Sequence, residues 1–350
     1  LMETPMNVRS SRALALCRAG IAVALSMMTC ASAGAESSAS LYGLVGLDIA
    51  STRRSDGPPR SFAEQSPGLS APFWGLRITE EPGGGYRVVA ALESFFQPVN
   101  GGTGRTSADP LWGRNAYVGI AGPFGTVTLG RQTTLLYLAT QAVNPFQASV
   151  LFSPLVMQTF TAPYGGAVVG DTVWNNAIQY RTPGINGLTV TTVFAPGGVA
   201  GSGGTFNAGL SALYANGALT AVATVQRTRF VAGVAAPTQI AYIAGAAYDF
   251  SLFKLYGALQ RTRTDAIDLA TKTYEAGLAI PITAAFSILA EWAYTHRSVA
   301  GGVTTARNTA TAGVDYFLSK RTDVYLLSVY DRLEGRATAM TFATGIRHSF

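Results

Sequence analysis

Phe286-Ser287-Ile288-Leu289-Ala290-Glu291-Trp292-Ala293-Tyr294 is the stretch that decides the fold. Phe286, Ile288, Ala290, Trp292 and Tyr294 take every second position, with Ser287 and Glu291 between them. Successive side chains of an extended backbone point to opposite faces, so a period of two marks a strand lying between two different media. Residues 273–280 repeat the pattern, with Tyr274, Ala276, Leu278 and Ile280 against Thr273, Glu275, Gly277 and Ala279. Residues 252–260 do the same, with Phe253, Leu255, Gly257 and Leu259 against Lys254, Tyr256 and Gln260. The alternation predicts Leu255, Leu278, Ile288 and Trp292 on an apolar outer face and Lys254, Glu275 and Glu291 on a wet inner one.

Working outward, sixteen such segments can be marked: 40–50, 71–80, 86–95, 113–121, 124–131, 174–182, 187–195, 204–214, 218–229, 239–249, 252–263, 272–280, 285–296, 308–317, 323–333 and 339–350. Seven connections are tight and rich in turn formers, among them Glu81-Pro82-Gly83-Gly84-Gly85, Gly122-Pro123 and Ala215-Asn216-Gly217. They alternate with eight that read as longer, which sorts the loops by end. Hydrophobic residues make up 48 % and charged residues only 13 % of the chain, against roughly 25 % charged in soluble domains. Beyond residue 36 there is still no uninterrupted apolar run long enough for a membrane helix. A sheet with one lipid-facing side spreads its apolar residues in this way. In hydrocarbon every backbone N–H and C=O needs a partner, so such a sheet must close on itself. The fold class expected is all-β: a transmembrane, sixteen-stranded antiparallel β-barrel.

The N-terminal residues read differently. Arg9, Arg12 and Arg18 lead into the apolar stretch 19–30, followed by Ala31-Ser32-Ala33 and Ala33-Gly34-Ala35. A basic region, a short apolar core and small residues at a cleavage site describe a secretory signal peptide. We assign it to 1–35 and the barrel to 36–350. Both cysteines, Cys17 and Cys30, fall in the leader, so the remainder carries no disulfide framework and no thiol metal site. Removing the leader also removes three arginines and Glu3, which leaves a charge excess of +4 from the 25 basic and 19 acidic residues of the whole chain. With no Lys/Arg run, nucleic acid is not an expected partner. His296 and His348 stand far apart, with no nucleophile or third group patterned around either, so neither an enzyme nor a metal centre is expected. No cofactor is expected, because Gly83-Gly84-Gly85 is a hairpin turn and not a phosphate loop before a helix.

Six stretches, in order, resemble the general porins of Gram-negative bacteria, especially the betaproteobacterial branch. They are Leu41-Tyr42-Gly43-Leu44-Val45-Gly46, Trp74-Gly75-Leu76-Arg77, Gly113-Arg114-Asn115-Ala116-Tyr117-Val118-Gly119, Gly125-Thr126-Val127-Thr128-Leu129-Gly130-Arg131-Gln132, Asn175-Asn176-Ala177-Ile178-Gln179-Tyr180 and Gly345-Ile346-Arg347-His348-Ser349-Phe350. The resemblance implies a homotrimer in the cell outer membrane, surrounded by outer-membrane lipid and lipopolysaccharide. Each lumen would be narrowed by an inward-folded third loop and would pass small hydrophilic solutes and ions. It further implies that the alternating ending with Ile346, His348 and Phe350 is a signal read by the outer-membrane assembly machinery.

By the same resemblance the constriction is a basic wall facing the third loop. The wall residues expected are Arg77, Arg87, Arg114 and Arg131, with acids at Asp48, Glu93 and Asp171. Alternation puts Arg77 and Arg87 inside but groups Arg131 with Val127 and Leu129, so Arg131 needs a bulge or a strand end after Leu129 to face the pore. The wall arginines could alternatively serve only to neutralise Asp48 or Glu93. Relatives commonly carry basic residues where this chain has Phe73 and Val173, and carboxylates in the loop. Here residues 132–170 contain no Asp, Glu, Lys or Arg. Leu135, Leu136, Phe146, Leu151, Phe152, Leu155 and Phe160 make this stretch apolar, and two placements stay open. They either pack on the barrel wall or line the passage, as in a substrate-specific channel with an aromatic constriction. The pattern as a whole implies a water-filled channel for passive diffusion with a weak preference for anions.

Overall fold

A computed structural model describes residues 37–197, 206–229, 238–265, 268–302 and 304–350; the leader expected over 1–35 lies outside the described residues. Sixteen antiparallel strands form the wall. In order they are β1 (Ser37–Thr52), β2 (Phe73–Gly83), β3 (Tyr86–Gln97), β4 (Asn115–Gly122), β5 (Gly125–Thr133), β6 (Val173–Arg181), β7 (Leu188–Ala195) and β8 (Asn207–Asn216). The second half comprises β9 (Leu219–Arg229), β10 (Thr238–Asp249), β11 (Lys254–Thr264), β12 (Leu269–Pro281), β13 (Phe286–Val299), β14 (Thr305–Ser319), β15 (Thr322–Leu333) and β16 (Ala339–Ser349). Each strand pairs with its neighbours in sequence, and β1 pairs with β16 to close the ring, Leu44 facing Ser349 and Ser51 facing Phe342. Past that ladder Gly43 and Phe350 exchange two backbone hydrogen bonds of 3.1 Å. A Cβ at position 43 would stand 2.5 Å from the Phe73 carbonyl oxygen, so this close approach needs glycine.

The faces follow the alternation. Leu255, Ile288 and Trp292 are exposed on the outer wall, whereas Glu275 and Glu291 are buried on the inner one. Lys254 reaches over the Tyr256 ring, on the side away from Leu255. Between the two ends the outer face is a band of Leu, Ile, Val and Ala, as a lipid-facing surface requires.

The loops depart from expectation in one half of the barrel. The connections after β11, β13 and β15 span only four or five residues each (265–268, 300–304 and 334–338), within the range of two to six at the tight-turn end. The strands themselves run on instead, to 14 residues in β13 and 15 in β14. Beyond the lipid the outer face no longer needs apolar side chains, so exposed Arg263 stands between the buried, hydrogen-bonded Thr262 and Thr264 while the backbones stay paired. The first two long connections carry short extra strands, Ser61–Gln65 and Gly102–Thr103.

Candidate functional site

The third connection, 134–172, folds into the barrel. It carries helices α1 (Leu135–Ala142) and α2 (Pro154–Phe160) and a single 3-10 turn, Ala162–Tyr164. Thr134 caps α1 by accepting from the Tyr137 N–H, and Ser153 caps α2 by accepting from the Val156 N–H. Helices this short do not persist alone in water, so tertiary packing holds them. Leu136, Val143 and Leu155 pack on Val222, Ala241, Ile243 and Ala258 of the wall. Phe146, Phe152 and Met157 pack on Tyr325, Leu327 and Val329. Leu135 packs on Trp174 and Val193. Phe160 is half-buried and meets the Tyr137 ring edge-on at 5.0 Å. Leu135, Phe146 and Phe152 are thus turned to the wall and line no passage.

Polar anchors come from the wall, since residues 134–170 of the loop carry no charge. Glu291 accepts from the Ser153 hydroxyl at 2.9 Å and from the Leu155 N–H at 2.8 Å. A carboxylate at these positions meets the positive end of α2 and satisfies one of its free N–H groups. The Gln158 amide donates to the Ala293 carbonyl at 3.0 Å and to the Thr309 hydroxyl at 2.8 Å. Gln239 accepts from the Val169 N–H and donates to the Ala167 carbonyl, both at 3.0 Å. At the loop tip the buried Arg307, ion-paired with Asp331 and Asp56 at 2.7 and 2.9 Å, lies 4.6 Å over the Tyr164 ring. Asp56 belongs to the first connection, so this pair also ties that loop inward.

What the loop leaves open is a cavity of about 430 Å³ against β2–β6. Arg77, Arg114, Arg181, Tyr117 and Gln179 line it from the wall, and Leu138 of α1 lines it from the loop. Leu138 is the exposed leucine of a helix that buries Leu135 and Leu136. The Arg77 guanidinium stands 4.5 Å over the Tyr42 ring. Arg114 stands 4.0 Å over Phe73, so the aromatic at that departure from the family pattern serves as a platform for a neighbouring cation. Glu93, almost fully buried, is ion-paired with Arg114 and accepts from the Tyr42 hydroxyl and the Asn115 amide. Among the described residues Arg77 and Arg181 form no ion pair. Three arginines against the one carboxylate leave the cavity with a net charge of +2.

Four expected site residues sit elsewhere. Arg87 shares the inner face with Val89 but lies at the tight-turn end of β3, beyond the Arg77–Ala91 rung. Asp48 is on the inner face but only 2 % exposed, and it accepts from the Gln65 amide at 3.1 Å. Arg131, expected on the pore wall, is not there. A bulge does occur, but on the opposite strand: Gly130 pairs with Ala177 and Gln132 with Trp174, so Asn175 and Asn176 together oppose Arg131. β5 keeps its alternation, with Thr128 and Gln132 hydrogen-bonded at 2.6 Å on the inner face, and Arg131 stays on the side of Leu129. There it donates to the Gly113 carbonyl, Asn175 and Asp171 at 2.8, 2.6 and 3.0 Å. Asp171 also pairs with Arg105 of the second connection at 2.9 Å, and Arg105 pairs with Asp109 at 2.8 Å. Two arginines and two aspartates thus form a balanced latch at the rim.

Burial alone would raise the Asp171 carboxyl, but Arg105 and Arg131 carry it below the usual carboxylate range. Asp109 is likewise lowered, chiefly by its hydrogen bond from Arg105. Groups lowered on folding stabilise above their unfolded pKa of about 3.9 and lose that contribution as pH falls through the folded value. Hydrogen exchange in 105–114, corrected for intrinsic rates, is therefore expected to stay constant from pH 7 to pH 5 and to speed up only below about pH 4. Loosening between pH 7 and 5 would contradict the latch.

Among the lining residues outside the expected set, Arg181 and Leu138 leave different traces in the sequence. Arg181 follows Ala177 and Gln179 at a period of two, a legible signal, whereas Leu138 follows Leu135 and Leu136 on a helix too short to show its period. Arg105 stands in an irregular loop, where no pattern points to it.

A closed barrel with one lipid-facing surface and a charged passage beside an inward-folded loop is a transmembrane channel of the outer-membrane type. The chain belongs to the Gram-negative porin family, whose model matches residues 22–336. It is 27% identical to outer membrane porin protein 32 of Delftia acidovorans, over 87% of this chain and 86% of that one. It is 25% identical to an outer membrane porin protein of Bordetella pertussis, over 79% of this chain and 82% of that one. Among solved structures, the anion-selective porin from Comamonas acidovorans superposes with a TM-score of 0.74 at 24% identity, covering 90% of this chain and all of that one. The trimer form of OmpT from Vibrio cholerae gives 0.68 at 13% identity, over 90% and 99%. The protein is an outer-membrane porin that forms a water-filled channel.

Proposed function

We propose that this porin is a general diffusion pore with a weak preference for anions. The observation that carries the reading is the cavity in which Arg77 and Arg181, free of ion pairs among the described residues, face the uncharged Leu138. A ring of one sign favours the opposite ion, and the loop's one carboxylate, Asp171, is taken up in ion pairs with Arg105 and Arg131. Glu93 offsets Arg114, and the rim latch is balanced, so the preference is weak. Burial of the loop aromatics against the wall speaks against a substrate-specific channel with an aromatic slide. The anion-selective relative and the trimeric neighbour support the same reading, including a homotrimer. No catalytic step belongs to it. His348, on the outer face of β16, shares a 2.8 Å hydrogen bond with Thr322, and we read it with Ile346 and Phe350 as the strand presented to the assembly machinery.

Liposome swelling tests the diffusion part. Uptake of neutral sugars is expected to fall smoothly with solute size and to rise linearly with concentration. Saturation by one solute class would favour the substrate-specific channel instead.

A further inference from the structure

A second cavity opens inside the long-connection mouth, across the barrel from the pore cavity. It measures about 300 Å³ and lies between the tip of the third loop, residues 162–167, and the inner face of β12–β15. Two rows of the wall build it. Thr271, Arg297 and Thr305 form the row nearer the mouth, and Thr295 and Arg307 belong to the row beneath. Tyr164 and Gln158 line it from the loop.

Charge is matched everywhere in this cavity but at one residue. Arg307 and Arg54 are balanced by Asp56 and Asp331, so that cluster is neutral. Arg297 forms no ion pair among the described residues. Its one hydrogen bond there, to the Gly165 carbonyl at 2.9 Å, leaves most of its five N–H donors unused. Gln158 is only 1 % exposed. Its amide nitrogen is taken up by the Ala293 carbonyl and the Thr309 hydroxyl, whereas its carbonyl oxygen meets no donor among the described residues.

We propose that this cavity is a binding site for a monosaccharide acid of the hexuronate type. The carboxylate sits in the unused fork of Arg297, a geometry that guanidinium groups bind in bidentate fashion. One unmatched positive charge calls for a monoanion, and the Asp56 carboxylate on the lining repels a second acid group. A ring hydroxyl supplies the donor that the Gln158 oxygen lacks, and the threonine hydroxyls meet the others. The C–H face of the sugar, slightly positive, lies on the negative face of the Tyr164 ring. The volume is at the lower end for ligand pockets, which admits one sugar and not a chain. A solute held here stands beside the passage along β2–β6 and leaves it open, so the proposal does not rest on the ion preference of the pore.

The test measures the dissociation constant of glucuronate by ligand-observed NMR on the full-length protein in detergent. Glucose, which lacks the carboxylate, and acetate, which lacks the ring, should each bind at least about tenfold more weakly. R297Q is expected to weaken glucuronate binding by a similar factor. A162F fills the cavity without changing charge and should weaken it as well. Neither residue lines the pore cavity, so unchanged single-channel conductance shows that both variants fold. Saturating glucuronate should leave the single-channel current unblocked. No binding by the unmodified protein, or binding that both variants keep, would overturn the proposal. Equal binding of acetate would reduce the site to a bare charge and overturn it too, as would a block of the current that both variants retain.

Discussion

Replacing Glu291 with alanine is expected to detach the third loop from the wall and enlarge the pore. The substitution leaves the Ser153 hydroxyl and the Leu155 N–H buried with no acceptor. Hydrogen bonds to a charged group contribute about 1.5–3 kcal/mol each, and unmet buried donors add their own penalty. Two such losses fall at the start of a seven-residue helix, whose remaining anchors are its buried side chains and the hydrogen bonds of Gln158 and Thr159. Single-channel recordings should show a larger and noisier conductance. Glu291→Gln keeps a carbonyl oxygen for the same donors and should keep the quiet, narrow channel. An alanine variant with unchanged conductance and noise would show that apolar packing alone fixes the loop.

The second large effect concerns charge. Converting both Arg77 and Arg181 to glutamate takes the cavity from a net +2 to −2, and the ion preference is expected to invert. In the water-filled passage, at about 10 Å and a dielectric constant of about 80, each unit charge acts on a passing ion with roughly 0.4 kcal/mol. Reversing two of them suffices for a change of well over tenfold in the anion-to-cation permeability ratio. Arg131→Ala serves as the contrast, because Arg131 lies outside the cavity with Asn175 and Asp171. It should leave the ratio unchanged. A shift with Arg131→Ala as large as with the Arg77 and Arg181 pair would mean that the rim, not the cavity, filters ions.

The sequence is most readable where the two faces of a strand meet different media. Trp292 against Glu291 and Leu255 against Lys254 reveal strand, face and register at once, because lipid and water impose opposite demands at every step. That signal fades at the protruding end of β11, where Thr262 is buried and Arg263 exposed but both are polar, so burial still alternates while hydropathy does not. Arg131 is misplaced for a related reason. Alternation alone puts it outside, correctly, and the assumed bulge moves it in, whereas the extra residue belongs to the partner strand at Asn175 and Asn176. The loop can be recognised as uncharged and apolar, but not how it lies. Glu291, 138 residues away from Ser153, and Arg307, held between two loops and a strand, act through contacts that no local period encodes. Asp48 shows the converse limit. Its inner face is legible, but the short strand that covers it is not, since five residues in a loop carry too little pattern to stand out.

The central claim is a net-positive passage, and the zero-current potential of the unmodified porin in a KCl gradient tests it most directly. A small potential is expected, of the sign given by chloride crossing faster than potassium. It should shrink as mean salt rises, because screening acts over about 10 Å at 0.1 M. A potential of the opposite sign at low salt, one that grows as the solution is diluted, would mean that acids rather than Arg77 and Arg181 set the field in the pore, and would contradict the account.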